Sequence, residues 1–243
     1  RRGIKMNHPY EVQHESFPAK VIKQAEEQKE ELTKNVLQYG GVLWIVFSVL
    51  GIIFQSAFLL CLGGLIFVGI LIFLIGGAYD SQVSTFKAGL IGESTLKSAL
   101  RNILSSDYTV YYNYPTPYGD IDALVVGPTG VYVLEVKHHN GYIKATENGW
   151  KRVKVGRGGT VYAAPIGNPE TQAKRNALYV KELLKQNGIA TWVKHAVVLT
   201  NPSVKLQTEG TVNVFHIREV EKIFFREKIF SDSQIKKINS ILQ

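Results

Sequence analysis

Two acids and a lysine near the middle of the sequence have types and spacing that suit metal-assisted chemistry. Asp122 precedes the turn sequence Gly127-Pro128-Thr129-Gly130, and Glu135 and Lys137 follow it. Two carboxylates held close together repel each other, and Mg²⁺ typically binds one or two carboxylates together with water and phosphate. A lysine beside them could hold an attacking water or stabilise the negative charge that develops on a phosphate.

The register of the hairpin around this turn decides whether the three side chains meet. A four-residue loop pairs Val126 with Val131, and counting back along the two strands then places Asp122 opposite Glu135. Directly opposed residues have Cβ atoms about 4.5–5.5 Å apart. Because side chains alternate along a strand, we expect Asp122, Glu135 and Lys137 on one face. A solvated strand end would show the same residues, so spacing alone leaves the metal site open.

The rest of the domain must position this hairpin, and its patterns predict the elements that do so. Apolar residues at spacings of three and four predict helices, whereas β-branched and aromatic stretches between turn residues predict strands. The predicted helices are Ala88–Leu104, Pro169–Gln186 with Asn168 as its cap, Arg218–Phe225 and Ser231–Leu242, and the predicted strands are Tyr108–Asn113, Ile121–Val126, Val131–Val136, Trp192–Thr200 and Val212–Ile217, with a glycine-rich β extension between residues 142 and 163. This order predicts an α/β domain with a mixed sheet.

A long apolar run precedes the domain. Val42–Ile75 contains no charged residue, and as one helix it would extend roughly 50 Å, against a hydrocarbon core of about 30 Å. Two shorter helices that turn near residues 54–57 fit a bilayer better. Lysines flank both ends of the run, and Lys and Arg concentrate on the cytoplasmic side of membranes. The sequence therefore predicts an N-terminal transmembrane helical hairpin; one tilted helix and a buried hairpin in a soluble protein are the alternatives.

This interpretation divides the chain into three parts. A polar juxtamembrane segment covers residues 1–36, the transmembrane region covers 37–79, and a domain on the cytoplasmic side of the cell membrane covers 80–243. The single cysteine, Cys61, lies in the apolar run, so no intrachain disulfide can form and a reducing compartment fits. Residues 80–243 hold 21 Lys and Arg against 14 Asp and Glu, and this positive balance could attract a polyanion.

Two groups of basic residues could follow a phosphate backbone. One group lies on the β extension and the other near the start of the helix that follows it. The six residues are Lys151, Arg152, Lys154, Arg157, Lys174 and Arg175. Five tyrosines, at positions 108, 111, 112, 114 and 118, could stack on bases. A solvated surface explains the basic residues, and strand packing explains the tyrosines, at least as well.

Several of these motifs occur together in an order that resembles a known family. The first motif is Gly92-Glu93, and the longest is the run 119–137, which contains Asp120-Ile121-Asp122, the Gly-Pro-Thr-Gly turn and Glu135-Val136-Lys137. Gly141 and Asn168-Pro169-x-x-Gln172 follow it. Over about residues 88–200 the chain is similar to the nuclease-related domain (NERD) family, a branch of the PD-(D/E)xK restriction-endonuclease-like superfamily. The superfamily often has proline before its first acid, where this chain has Ile121.

The resemblance implies a restriction-endonuclease-like mixed sheet flanked by helices and a metal-assisted hydrolysis of phosphodiester bonds. It assigns the metal, Mg²⁺ or Mn²⁺, to Asp122 and Glu135 and the catalytic lysine to Lys137. It also assigns an auxiliary acid to Glu93 and a further polar residue to Gln172.

The sequence therefore predicts a membrane-anchored, divalent-metal-dependent nuclease that acts on nucleic acid, with DNA favoured over RNA and a lipid bilayer as the second partner. No small-molecule cofactor is expected, and the oligomeric state is left open, a homo-oligomer included. The alternative is a non-catalytic nucleic-acid-binding or scaffold module tethered to the membrane.

Overall fold

The structure, a computed structural model, describes residues 8–15, 19–31, 34–35, 68–69, 86–156 and 158–243. The chain forms two compact units, Arg1–Phe17 with Gly89–Gln243 and Pro18–Ala88. In the second unit, residues 19–31 form helix α1. The predicted membrane hairpin over 37–79 lies outside the described residues except at 68–69. Within the described ranges, no helix combines the length and the apolar character that crossing a membrane requires.

The strands of the first unit alternate with helices in the manner of a mixed α/β fold. In chain order the described strands are β1 (Tyr10–Gln13), β2 (Thr109–Tyr114), β3 (Ile121–Gly127), β4 (Gly130–Lys137), β5 (Tyr142–Thr146), β6 (Gly149–Val155), β7 (Val161–Ala164), β8 (Val193–Leu199), β9 (Lys205–Glu209) and β10 (Val214–His216). The helices are α2 (86–103), α3 (Pro169–Gln186) and α4 (Asp232–Leu242), with a 3₁₀ helix at Ile217–Ile223. The predicted helix at Arg218–Phe225 is therefore shorter and 3₁₀ in type, and the sequence patterns missed β1 and β9.

A six-stranded sheet forms the centre of this unit, in the order β1-β2-β3-β4-β8-β10. Strands β2, β3 and β4 are antiparallel neighbours, whereas β1 is parallel to β2 and β8 is parallel to both β4 and β10. A smaller sheet, in the order β7-β6-β5-β9, contains the glycine-rich extension. The mixed sheet predicted from the element order is confirmed.

Helices cover both faces of the large sheet. Leu96, Leu100 and Leu104 on and just after α2 pack with Leu134 on one face. On the other face, residues of α3 and α4 pack on β3 and β4, and the core members are Leu124, Val126, Val131, Val133, Val180, Leu184, Ile235 and Ile238. A strand covered on both faces is buried at almost every position, and β4 is buried from Gly130 to Val136.

An ion cluster holds β1, which comes from the N-terminal part of the chain, on the sheet. Arg101 donates from Nη2 to Glu11 Oε2 at 2.6 Å and from Nε to Glu11 Oε1 at 3.2 Å. Lys97 Nζ lies 3.7 Å from Glu11 Oε2. Burial acts to raise the pKa of Glu11, but the hydrogen bond and charge of Arg101, together with the charge of Lys97, outweigh it and lower that pKa.

Candidate active site

The β3–β4 hairpin has the register that its turn predicts. Val126 pairs with Val131, and the ladder extends to the pair of Ala123 with Leu134. Asp122 stands one position beyond the last pair of this ladder. There the Val136 amide N–H donates to Asp122 Oδ2 at 2.6 Å. The hairpin therefore brings the first acid against the strand segment that carries the second acid and the lysine.

An irregularity in β2 determines how β3 enters the site. Tyr112 pairs with Ala123 and Tyr114 with Ile121, and between them Asn113 has a φ of +55°. Positive φ is uncommon outside glycine, although asparagine adopts it more readily than most residues. This irregularity interrupts the alternation of side chains along β3. Ala123 packs against the face covered by α2, whereas Ile121 packs in the cluster of α3 and α4 on the opposite face. Simple alternation of side chains along β3 would place Ile121 on the face of Ala123, and this expectation is wrong because the irregularity moves Ile121 to the other face.

Glu135 and Lys137 form an ion pair at the end of β4. Lys137 Nζ donates to Glu135 Oε1 at 2.5 Å, and the Glu135 side chain is only 2% exposed. Burial, together with the charge of Asp122, raises the pKa of Glu135 to about 8, against the opposing effects of Lys137 and Arg175. Burial also raises the pKa of Asp122, against the opposing charge of Lys137. Both carboxylates therefore lack sufficient positive charge around them.

The two carboxylates fit a divalent cation. A cation between them would remove the mutual repulsion and compensate the burial that raises both pKa values. Carboxylate oxygens are the hard ligands that Mg²⁺ and Mn²⁺ prefer. Among the described residues, no group of three or more His, Cys, Asp and Glu side chains could hold a metal ion. Asp122 and Glu135 would thus leave most ligand positions to water and substrate, as Mg²⁺ sites on phosphates usually do.

Close packing brings α2 to the end of β4. A Cβ atom built on Gly92 would lie 3.0 Å from Val136 Cγ1 and 3.1 Å from both His138 Cβ and Thr200 Oγ1. A side chain at this position would force these neighbours to shift by a few tenths of an ångström, so glycine suits the close approach of the helix. Glu93, the predicted auxiliary acid, is the next residue of α2 and is partly buried.

Helix α3 supplies polar side chains on the same side of the sheet as Glu135. Asn168 caps this helix, as predicted, because its side chain accepts a hydrogen bond from the Thr171 backbone N–H. Gln172, the predicted polar residue, is partly buried in the first turns of the helix. Asn176 is fully buried, and its Nδ2 has no hydrogen-bond partner among the described residues. A buried amide donor without a partner is unusual and marks a place where water or a ligand can bind.

The predicted basic residues have different surroundings. Lys151, Lys174 and Arg175 are exposed, Lys154 is partly buried, and Arg157 lies outside the described residues. Arg152 is only 8% exposed. It donates to the backbone and side-chain oxygens of Asn140 at 2.9 and 2.8 Å, so its guanidinium connects β6 to the segment that follows Lys137.

A histidine next to the site is neutral. Burial, together with the charges of Arg152, Lys137 and Lys154, lowers the pKa of His139 to about 4. The charges of these three cations therefore act on His139, in the segment that follows β4. Positive charge at this place attracts negatively charged partners and disfavours a free cation.

Comparison with known proteins finds a family match for the segment that carries these residues. A sequence profile of the nuclease-related domain family matches residues 88–200, which confirms the resemblance seen in the motifs. The matched segment contains Asp122, Glu135 and Lys137. No curated protein and no solved structure has a significant match to the chain. Residues 88–200 therefore match the nuclease-related domain family, which belongs to the restriction-endonuclease-like superfamily.

Proposed function

We propose that this domain is a divalent-metal-dependent nuclease that hydrolyses phosphodiester bonds, with DNA as the favoured substrate, and that the chain holds it at the cytoplasmic face of a cell membrane. The observation that carries the proposal is the ion pair of Lys137 with the buried Glu135, beside Asp122. Two acids with raised pKa values are costly to bury. That cost is reasonable in a site where a metal ion binds.

Asp122 and Glu135 would hold Mg²⁺ or Mn²⁺. When bound, the metal supplies Lewis acidity, which polarises the phosphate and makes an attacking water more acidic. The Val136 N–H, which donates to Asp122 Oδ2, orients this carboxylate before any ligand arrives. Such preorganisation avoids the cost of ordering the side chain during the reaction.

Lys137 would act as a cation and hydrogen-bond donor. Burial acts to lower its pKa, but the charge and hydrogen bond of Glu135 outweigh that effect and raise it, so the ammonium stays protonated at neutral pH. An ammonium group has three N–H donors, of which Glu135 occupies one. The others are available to orient an attacking water or to stabilise charge on a phosphate oxygen. A protonated lysine cannot serve as the general base.

The sheet supports the membrane part of the proposal. β1 precedes the apolar run and β2 follows it, yet the two strands pair from Tyr10 with Thr109 to Gln13 with Tyr112. Both flanks of the run must then lie on one side of any membrane that it crosses. An even number of crossings satisfies this condition, which favours the hairpin over a single tilted helix.

The full chain, purified in detergent or nanodiscs, tests the activity. Linear, circular and single-stranded DNA and RNA would be incubated with it in Mg²⁺, Mn²⁺ or EDTA. We expect cleavage that needs metal and that is lost in Glu135→Gln and Lys137→Ala. Lys144→Ala is the matched control, because Lys144 pairs with Glu209 on the other sheet. Cleavage that persists in Glu135→Gln would exclude this site, and binding without cleavage in every metal would favour a non-catalytic tether.

A further inference from the structure

One tyrosine near the site differs from its neighbours in exposure. Tyr111 and Tyr112 are 0% and 4% exposed, so these two rings belong to the core. Tyr108 and Tyr114 are partly buried, and the Tyr108 hydroxyl is hydrogen-bonded to Thr129. Tyr118 is 52% exposed. Of the five tyrosines that could stack on bases, Tyr118 is therefore the one whose ring is mostly open to solvent.

The loop that carries Tyr118 is stiff. It contains Pro115 and Pro117, whose rings restrict φ. Thr116 Oγ1 donates to the Gly119 carbonyl at 2.5 Å and accepts from the Tyr118 N–H at 3.1 Å. Gly119 has a φ of +106°, which suits glycine. The ring is thus presented by a preformed turn, and little conformational entropy would be lost when a ligand binds it.

Residues of helix α3 contact this turn and support it. Arg175 donates from Nη2 to the Tyr118 carbonyl at 3.2 Å, and its guanidinium carbon lies 5.1 Å from the centre of the Tyr118 ring. Tyr179 makes an edge contact with the same ring at 6.3 Å between centroids. Thr116 Oγ1 also lies 3.3 Å from Asn176 Oδ1. A guanidinium on one side of an exposed ring leaves the rest of the ring available for another planar group.

The same helix connects the turn to the strand of the metal-binding acids. Helix α3 contacts β4, which carries Glu135, and its residues Arg175 and Asn176 contact the turn at Tyr118 and Thr116. Along the chain, Asp122 follows Tyr118 by four residues. The turn that presents the ring therefore leads directly into the strand that carries the first acid.

We propose that Tyr118, supported by Arg175, is a stacking platform for an unpaired nucleobase next to the scissile phosphate. This inference rests on the proposed nuclease function and specifies its substrate class as single-stranded or frayed DNA. A tyrosine ring stacks on any base, because every base has a π face. Bases inside a duplex are already stacked on their neighbours, so the platform favours unpaired nucleotides and not a particular sequence.

Binding in EDTA tests the platform without cleavage. Fluorescence anisotropy of the full chain would be measured with a labelled single strand, a blunt duplex of the same length, and a strand of abasic residues. We expect the wild-type chain to bind the base-containing strand about tenfold more tightly than the abasic strand. Tyr118→Ala should weaken binding of the base-containing strand by about the same factor and leave the other two DNAs nearly unchanged. Tyr118→Phe should bind like the wild type.

Tyr162→Ala is the matched control, since Tyr162 is an exposed tyrosine, 48% accessible, on β7 of the other sheet. It should change no affinity. Equal wild-type affinity for the abasic and base-containing strands would overturn the platform, and that measurement depends on no substitution. A loss in Tyr118→Phe as large as in Tyr118→Ala would overturn it too. Absence of cleavage in Mg²⁺ would instead count against the proposed hydrolysis, and it would not affect the binding measured in EDTA.

Discussion

Replacing Glu135 by glutamine should stabilise the metal-free protein while it abolishes nuclease activity. Burial raises the pKa of this carboxyl to about 8 from the ordinary value of 4.5. Above pH 4.5 the unfolded chain ionises this carboxyl while the folded protein still holds it protonated, so by pH 7 stability has fallen over about 2.5 pH units, which at 1.36 kcal/mol per unit is about 3 kcal/mol. Glutamine has nearly the same shape, carries no charge, and still offers an oxygen to Lys137.

The sign of the pH dependence follows from the direction of the shift. Because the folded pKa of Glu135 is above its unfolded value, its contribution to stability is complete below pH 4.5. That contribution is lost as the pH rises towards 8. In EDTA, wild-type stability should therefore fall across this window by more than that of Glu135→Gln. Added Mg²⁺ should reduce the fall, because metal binds the ionised carboxylates and competes with protons.

Denaturation midpoints in EDTA at pH 5, 6, 7 and 8, followed by tryptophan fluorescence, measure this difference. Glu209→Gln is the control, since Glu209 is exposed and pairs with Lys144 on the smaller sheet. The reasoning is refuted if Glu135→Gln is no more stable than the wild type at pH 8. It is also refuted if the two proteins have parallel pH profiles.

Three further predictions concern packing, backbone and topology. Gly92→Ala should destabilise the domain by about 1–3 kcal/mol in chemical denaturation, because its Cβ meets three atoms at 3.0–3.1 Å; an unchanged midpoint would contradict the close helix contact. Asn113→Ala should cost at least about 1 kcal/mol, since it must keep a φ of +55° and loses the hydrogen bond to the His14 carbonyl; Asn113→Gly should recover part of this loss. Two variants of a chain with Cys61→Ser would each carry one new cysteine, Lys20→Cys in the first and Lys228→Cys in the second. Both cysteines should react with a membrane-impermeant maleimide from the same side of the membrane. Reaction from opposite sides would contradict an even number of crossings.

Local patterns were sufficient for much of the hairpin. The Gly-Pro-Thr-Gly turn and the alternating strands on either side depend on neighbours within a few residues, so the pairing of Val126 with Val131 could be predicted and is confirmed. The Asn168 cap of α3 was predictable for the same reason, because a cap involves one side chain and the next turn of helix.

Other features depend on residues far apart in the sequence, and patterns could not show them. β1 alternates apolar Tyr10 and Val12 with polar residues but is only four residues long, and it is held on the sheet by pairing with β2 and by the contact of Glu11 with Arg101, 90 residues later. The reversal at Ile121 depends on the backbone of Asn113 in the neighbouring strand. A short strand or a single φ angle of this kind leaves little trace in local composition.

By itself, the sequence determined which groups are present at the candidate site: two acids and a lysine at strand spacing, on a hairpin whose register follows from its turn. Only the tertiary structure decided their electrostatic state. Helices on both faces of the sheet bury Glu135 to 2% exposure, and this burial, with Asp122 nearby, raises its pKa. Tertiary packing also left Tyr118 open while it buried Tyr111 and Tyr112. Burial is a property of the assembled core, so residue types and spacing cannot determine it alone.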